Sequence, residues 1–239
     1  MLAKFRYRSD EQEFMDNVDI EEKALQVALS DISRVNKWLG GNTITIHAIH
    51  KLLKDKDLLK ELTILDLGCG SGEMLRSIAD SLKKENRDVK LIGVDLNEKS
   101  LGYAKKLSVL YPEILYTKQD ILDMNTTEYS YDIIICTLTL HHLKNEEIIT
   151  LLSKATQLAN IGVIINDLHR SPIAYYLFKI FSFFFIRGFV AKNDGLVSIK
   201  RGFKKRELLN FAEELNLKKH QIDWKWAFRY LWVINKGNV

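Results

Sequence analysis

Hydrophobic and polar positions along the chain follow two periods in turn. Over 20–39, Leu25, Leu29, Ile32, Val35 and Leu39 recur at steps of three or four with Trp38 on the same face, which predicts a helix closed by Gly40-Gly41. A second helix is predicted over 44–59. The run 63–67 is then short, apolar and β-branched at its start, and Met74, Leu75, Ile78, Ala79 and Leu82 return to helical spacing. A strand therefore passes through Gly68, Gly70 and Gly72 into a helix. The alternation repeats, with strands predicted over 89–96, 114–117, 131–136 and 162–167 and helices over 98–110 and 145–158. A helix over 207–215 and two strands over 217–224 and 228–234 complete the pattern. Strands alternating with helices predict an α/β fold on a parallel sheet.

Residues 172–190 break the alternation. Ile173, Tyr175, Tyr176, Leu177, Phe178, Ile180, Phe181, Phe183, Phe184, Phe185, Ile186 and Phe189 make the segment apolar nearly all round, interrupted only by Lys179 and Arg187. About 20 apolar residues are needed to span a bilayer, so the segment is read as an aromatic helix. It could be a plain core helix, or form an acceptor pocket, a dimer face or a membrane-surface patch. Lys192-Asn193-Asp194-Gly195 reads as a turn after it. The basic run 200–206 reads as a solvated start to the next helix.

Composition adds bounds. At 239 residues and 46% hydrophobic, the chain can bury one substantial core, and a single domain over 1–239 is expected, with a helical cap over 1–60 and a helical insertion over 172–206. Residues 1–18 are mixed and charged and receive no element. Net charge is +4 from 35 basic and 31 acidic residues, too balanced to imply nucleic acid. Cys69 and Cys136 lack metal-ligand spacing, and charges interrupt the N-terminal residues before any apolar signal core forms. A reduced, cytoplasmic location is expected.

The chemistry starts at the glycine turn. Gly68, Gly70 and Gly72 permit positive φ and bring backbone close to a ligand, and the first N–H groups of the following helix suit an anion. The spacing does not fit a dinucleotide fingerprint, because Glu73 follows Gly72, and no Gly-Lys-Ser/Thr ends the loop as in a nucleotide P-loop. Leu65-Asp66-Leu67-Gly68-Cys69-Gly70-Ser71-Gly72 instead resembles the first motif of the class I S-adenosylmethionine (SAM) methyltransferases. That resemblance implies a Rossmann-like, doubly wound seven-stranded sheet, mostly parallel with one antiparallel strand. It implies SAM as cofactor and S-adenosylhomocysteine (SAH) as product.

The resemblance also assigns roles. Asp66, Gly68, Cys69, Gly70 and Gly72 would form the cofactor turn, Asp95 would accept from both ribose hydroxyls, and Leu96 would lie against the adenine. Asp120 and Ile121 match the family's adenine contacts, and Thr137, Leu138 and His142 follow strand four beneath the methyl donor. Asp95 and Asp120 also suit ordinary helix-capping duties. No Pro-Pro run typical of nucleobase or glutamine amino-methylation follows strand four. The run Leu140-His141-His142-Leu143 instead resembles the small-molecule branch, including bacterial quinone and natural-product enzymes. No acid lies in 137–143 to complete a magnesium site like that of catechol methyltransferases, so no metal is expected.

Open α/β sheets hold ligands at the carboxyl ends of their strands. His142, His169 and Asp167 are therefore the candidate catalytic residues. His141, Arg170, Tyr175 and Tyr176 are candidates for acceptor contact, and Arg34, Lys37 and Trp38 for a lid. The first reading is transfer of a methyl group to the hydroxyl of a small, largely apolar aromatic, quinol or polyketide-like acceptor. C-methylation of a quinone precursor, RNA or protein methylation through 200–206, and an inactive SAM-fold scaffold are the alternatives. No nucleic-acid partner is expected.

Overall fold

The computed structural model describes residues 5–17, 19–54, 56, 61–127 and 129–236. Two helices, α1 (Glu22–Trp38) and α2 (Gly41–Leu53), precede the first strand, β1 (Leu62–Leu67). There follow α3 (Glu73–Lys83), β2 (Val89–Asp95), α4 (Glu98–Leu107), β3 (Ile114–Lys118), β4 (Tyr131–Thr137), α5 (Asn145–Leu158) and β5 (Ala159–Leu168). The chain ends with α6 (Pro172–Phe185), α7 (Phe189–Arg201), α8 (Lys205–Glu214), β6 (His220–Lys225) and β7 (Arg229–Asn235).

The strands form one seven-stranded sheet in the order β3-β2-β1-β4-β5-β7-β6. β1 to β5 pair in parallel, and β7 runs antiparallel to both β5 and β6. The order reverses direction at β1, next to β4, so the carboxyl ends of these strands open the crevice where doubly wound sheets take ligands.

Alternation along the central strands divides the core in two. Leu62 and Ile64 of β1 with Ile133 and Ile135 of β4 face Ile49 and Leu52 of α2 and Leu75 and Ile78 of α3. Leu65 and Leu67 with Ile134 and Cys136 face Leu151, Leu152 and Ala155 of α5 and Leu208 of α8. Both faces are apolar because helices cover both sides, as a parallel sheet requires. Burying each such side chain contributes about 1.5–3 kcal/mol.

Several boundaries differ from the sequence reading. The second helix begins at Gly41 and ends at Leu53, not 44–59. Gly40 adopts φ +73° and caps α2, so the glycine pair closes one helix and opens the next; residues 57–60 lie outside the described part of the chain. The aromatic segment 172–190 is two helices rather than one. Ser171 Oγ accepts from Ala174 N and Pro172 sits in the first turn of α6, while Asp31 Oδ2 takes the Gly188 N–H at 2.8 Å where α7 begins.

Residues 192–195 lie inside α7 and form no turn. Asp194 spends its carboxylate on a tertiary bond, accepting from Phe14 N and Met15 N at 2.9 Å each. The basic run 200–206 divides between two helices: Lys200 and Arg201 close α7, where Arg201 is buried, while Lys205 and Arg206 form the solvated start of α8. The final strands begin at His220 and Arg229. Among the described residues no helix is long and apolar enough to cross a membrane.

Candidate active site

The glycine turn ties β1 to β2. Gly68 N and Cys69 N both donate to Val94 O, at 2.9 and 3.0 Å. Gly70 has φ +51°, and a Cβ built there would find no atom nearer than Leu29 Cδ2 at 3.7 Å, so its missing side chain opens space toward the cavity. Gly72 is glycine for another reason: with φ +70°, it lies against the Tyr116 ring, which a Cβ would overlap.

Asp95 ends β2 with both carboxylate oxygens directed by backbone. Oδ2 accepts from Gly70 N and Oδ1 from Asn97 N, at 2.9 Å each. Burial raises its pKa against these bonds. Asp66, fully buried beneath the turn, is pushed up to about 8 by burial and by the neighbouring Asp95. Burial also raises the Cys69 thiol.

The turn opens onto one cavity of about 1050 Å³, which Gly72, turned toward Tyr116, does not line. Asp66, Gly68, Cys69, Gly70, Asp95, Leu96, Asp120, Ile121, Thr137 and Leu138 line one part of it. Asp120 also fulfils the capping alternative, accepting from Leu122 N at 2.8 Å. Leu138 has φ +54°, a conformation that costs a non-glycine residue energy and that the surrounding bonds impose. Thr137 Oγ1 is buried without a hydrogen-bond partner. An open glycine turn, an aimed carboxylate and an unpartnered hydroxyl fit a ligand with ribose hydroxyls and a polar tail.

The other part of the cavity is built from α1, α6, α7 and the N-terminal segment. Ile32 and Val35 of α1 and Leu39, which caps it, line this part with Ala174, Phe178 and Phe181 of α6. Arg34, Lys37 and Trp38 lie on a different face of α1 and do not line it. Arg34 pairs with Asp31, and Trp38 packs edge-on against Phe185 with ring centroids 6.1 Å apart.

Between the two parts lies a cluster of imidazoles and carboxylates. His141 is buried, and Asp167 Oδ1 accepts from its Nδ1 at 2.7 Å while Oδ2 accepts from its backbone N at 3.2 Å. His141 Nε2 faces Glu13 Oε1 at 3.5 Å. His142 is partly open, with Nδ1 3.0 Å from Asp16 Oδ1 and Nε2 3.8 Å from Glu13 Oε2. Ser198 Oγ donates to Glu13 Oε1 at 2.8 Å.

Burial opposes the charged form of His141, but Asp167 and Glu13 outweigh it and raise the ring to about 9. Burial likewise opposes ionisation of Glu13, and the two histidines outweigh it, so its carboxyl falls below the ordinary range. Two arginines clamp the turn that carries the histidines. Arg201 donates to His141 O at 3.1 Å and to His142 O at 2.7 Å, and Arg8 donates to His141 O at 2.9 Å and to Leu143 O at 2.8 Å.

Several expected contacts are placed elsewhere. His169 does not line the cavity; it stacks on Phe228 and accepts from Trp224 Nε1 at 3.3 Å, and burial with Lys204 and Arg170 lowers it to about 4. Asp167 is turned away from the cavity because its carboxylate holds His141. Arg170 is fully buried and forked onto Glu207, with Phe5 O and Gly202 O as further acceptors, so it is a tie within the fold. Tyr175 packs edge-on against Phe5, and Tyr176 is exposed. The sequence reading missed Arg8, Glu13 and Asp16, which lie in a charged stretch without periodicity.

Known proteins resemble this chain in parts. Residues 64–162 match the family model described as a methyltransferase domain. An uncharacterized protein, YtxK, of Bacillus subtilis is 28% identical over 154 residues, which cover 62% of this chain and 44% of that protein. A ubiquinone biosynthesis O-methyltransferase of Rickettsia bellii is 28% identical over 174 residues, covering 72% of this chain and 68% of the relative. The crystal structure of the plantazolicin methyltransferase BpumL with a pentazolic desmethylPZN analog and SAH shares the fold at a TM-score of 0.65 and 17% identity, covering 90% of this chain and 99% of that one. With the Gly68–Gly72 turn, the acid ending β2 and the strand order, these findings identify residues 64–162 as similar to a methyltransferase domain and give the chain the fold of SAH-binding methyltransferases.

Proposed function

We propose that the chain transfers the methyl group of SAM to a hydroxyl of a small, largely apolar acceptor of the aromatic, quinol or polyketide kind. The observation that carries this reading is the continuity of one cavity from the glycine turn and Asp95 to the apolar wall of α1 and α6, with His142 and Glu13 at the junction. Drug-sized ligands occupy about 300–1000 Å³, so about 1050 Å³ suits a cofactor together with a compact acceptor.

SAM supplies a methyl group already activated by a positive sulfur. The chain's own share is to hold donor and acceptor in line and to exclude water. Asp95, with both oxygens fixed by backbone N–H groups, takes the ribose hydroxyls. Phe178 and Phe181 confine the acceptor's apolar body. The cluster of Glu13, Asp16, His141 and His142 orients the acceptor hydroxyl and removes its proton, a task that imidazole and carboxylate groups can perform near neutral pH. The similarity to the ubiquinone biosynthesis O-methyltransferase of Rickettsia bellii supports an oxygen acceptor.

RNA methylation gains little from the basic run, since Lys200 pairs with Glu11 and Arg201 turns inward. Calorimetric titration with SAH tests the cofactor half. Micromolar binding is expected, weakened about 10- to 150-fold in Asp95→Ala by loss of charge-assisted hydrogen bonds. Methyl transfer from labelled SAM to simple phenols and quinols tests the acceptor half, and His142→Ala should abolish turnover while SAH still binds. Folded protein that ignores SAH would remove the reading.

A further inference from the structure

We propose that Glu13, His141 and His142 form a binding site for a divalent transition-metal ion of the zinc class, with coordination positions open to the acceptor side of the cavity. The proposal rests on the function above only for the identity of the last ligand, an oxygen of the acceptor.

Direction of the donors carries the argument. Asp167 accepts from His141 Nδ1 and Asp16 from His142 Nδ1, which places each ring's Nδ1 on a carboxylate and turns both Nε2 atoms toward Glu13. With Nδ1 as the donor, the neutral ring presents a lone pair at Nε2. Two lone pairs and a carboxylate then converge, and the ligand atoms of the three residues lie within 4.8 Å of one another. His141 Nε2 is buried and makes no hydrogen bond. Without a metal, a proton at His141 Nε2 facing Glu13 is the cation among them, and on binding a metal ion would replace that proton.

Distance and support agree. The 3.5 and 3.8 Å separations of Nε2 atoms from Glu13 exceed a good hydrogen bond. They lie close to the roughly 3.0–3.5 Å edges of a coordination polyhedron with bonds of about 2.0–2.2 Å. A carboxylate behind each ligating imidazole is the usual outer support of a metal site, fixing the tautomer and raising basicity. The ligands are also held in place: Arg8 and Arg201 clamp the His141 and His142 carbonyls, and Asp194 fixes the turn that carries Glu13.

Two imidazoles and one carboxylate favour zinc or a neighbouring transition metal over magnesium or calcium, which take oxygen ligands. The absence of an acid in 137–143 therefore argues only against an all-oxygen site. The third ligand comes instead from the N-terminal segment.

Chelator-treated protein titrated with Zn(II) and Co(II), with bound metal counted by elemental analysis, tests the site, and SAH affinity measured on the same sample keeps the two proposals separate. One Zn(II) per chain is expected, with a visible Co(II) spectrum of low coordination number. Glu13→Gln and His142→Ala should each weaken metal binding at least 100-fold while melting and SAH affinity stay within a few-fold; His142, on the cavity wall, serves where Glu13→Gln fails to fold. Absence of saturable binding in protein that still takes up SAH would overturn the metal site and leave methyl transfer standing. Undiminished binding in Glu13→Gln combined with His142→Ala would overturn it as well. Zinc binding without SAH binding would uphold the site and count against methyl transfer.

Discussion

Asp66 and Asp95 are two carboxyls under one glycine turn, and burial holds both above the ordinary range. In the unfolded chain Asp66 ionises near pH 4, whereas in the folded protein it keeps its proton to about 8. Between those values the native state binds the extra proton, so stability falls as pH rises across that window. Urea midpoints from about pH 5 to 8 should therefore decline in the wild type, and Asp66→Asn should flatten the decline. An unchanged slope would mean that other groups dominate. The turn's glycines and the acid at the end of β2 were readable from sequence because backbone geometry restricts which residues fit there. Which histidine reaches the cavity was not readable. His141, His142 and His169 all follow strand ends, and the partners that separate them, Glu13, Asp16 and Trp224, come from distant parts of the chain.

At the scale of elements, α7 and the segment 5–17 act together. Arg201 donates to His141 O, His142 O and Glu11 O, so one side chain joins α7, the histidine turn and the N-terminal segment. Arg201→Ala leaves buried carbonyls without donors and should cost about 2–4 kcal/mol. Arg201→Lys should recover little, since an ammonium lacks the planar fork; chemical denaturation measures both. In α6 the two faces have different uses. Phe181→Ala should raise KM for an apolar acceptor about 10-fold, as removal of a large buried apolar contact predicts. Phe183→Ser with Phe184→Ser, on the exposed face, should leave kcat and KM within about two-fold and stability within about 0.5 kcal/mol. Periodicity identified the aromatic segment but not its break, because Gly188 pairs with Asp31 of α1, a contact invisible to local spacing.

For the whole molecule, the cavity is closed by elements from both ends of the chain around the sheet's carboxyl edge, so ligand binding and folding are coupled. SAH at a hundred times its Kd should stabilise the protein by about 2.7 kcal/mol, read as a rise in melting temperature; binding without any rise would mean that the unfolded chain binds equally well. The sequence by itself determined the α/β alternation, the parallel core, the glycine turn after β1 and the acid that ends β2, because these follow from periodicity and from backbone geometry within a few residues. Only the tertiary structure decided that Arg170 and Asp167 serve the fold, that His169 lies outside the cavity, and that Glu13 and Asp16 complete the histidine cluster. Those roles depend on contacts between residues of different elements, from Asp167 with His141 to His142 with Asp16, and no local pattern of hydrophobic and polar positions encodes which distant charges will meet.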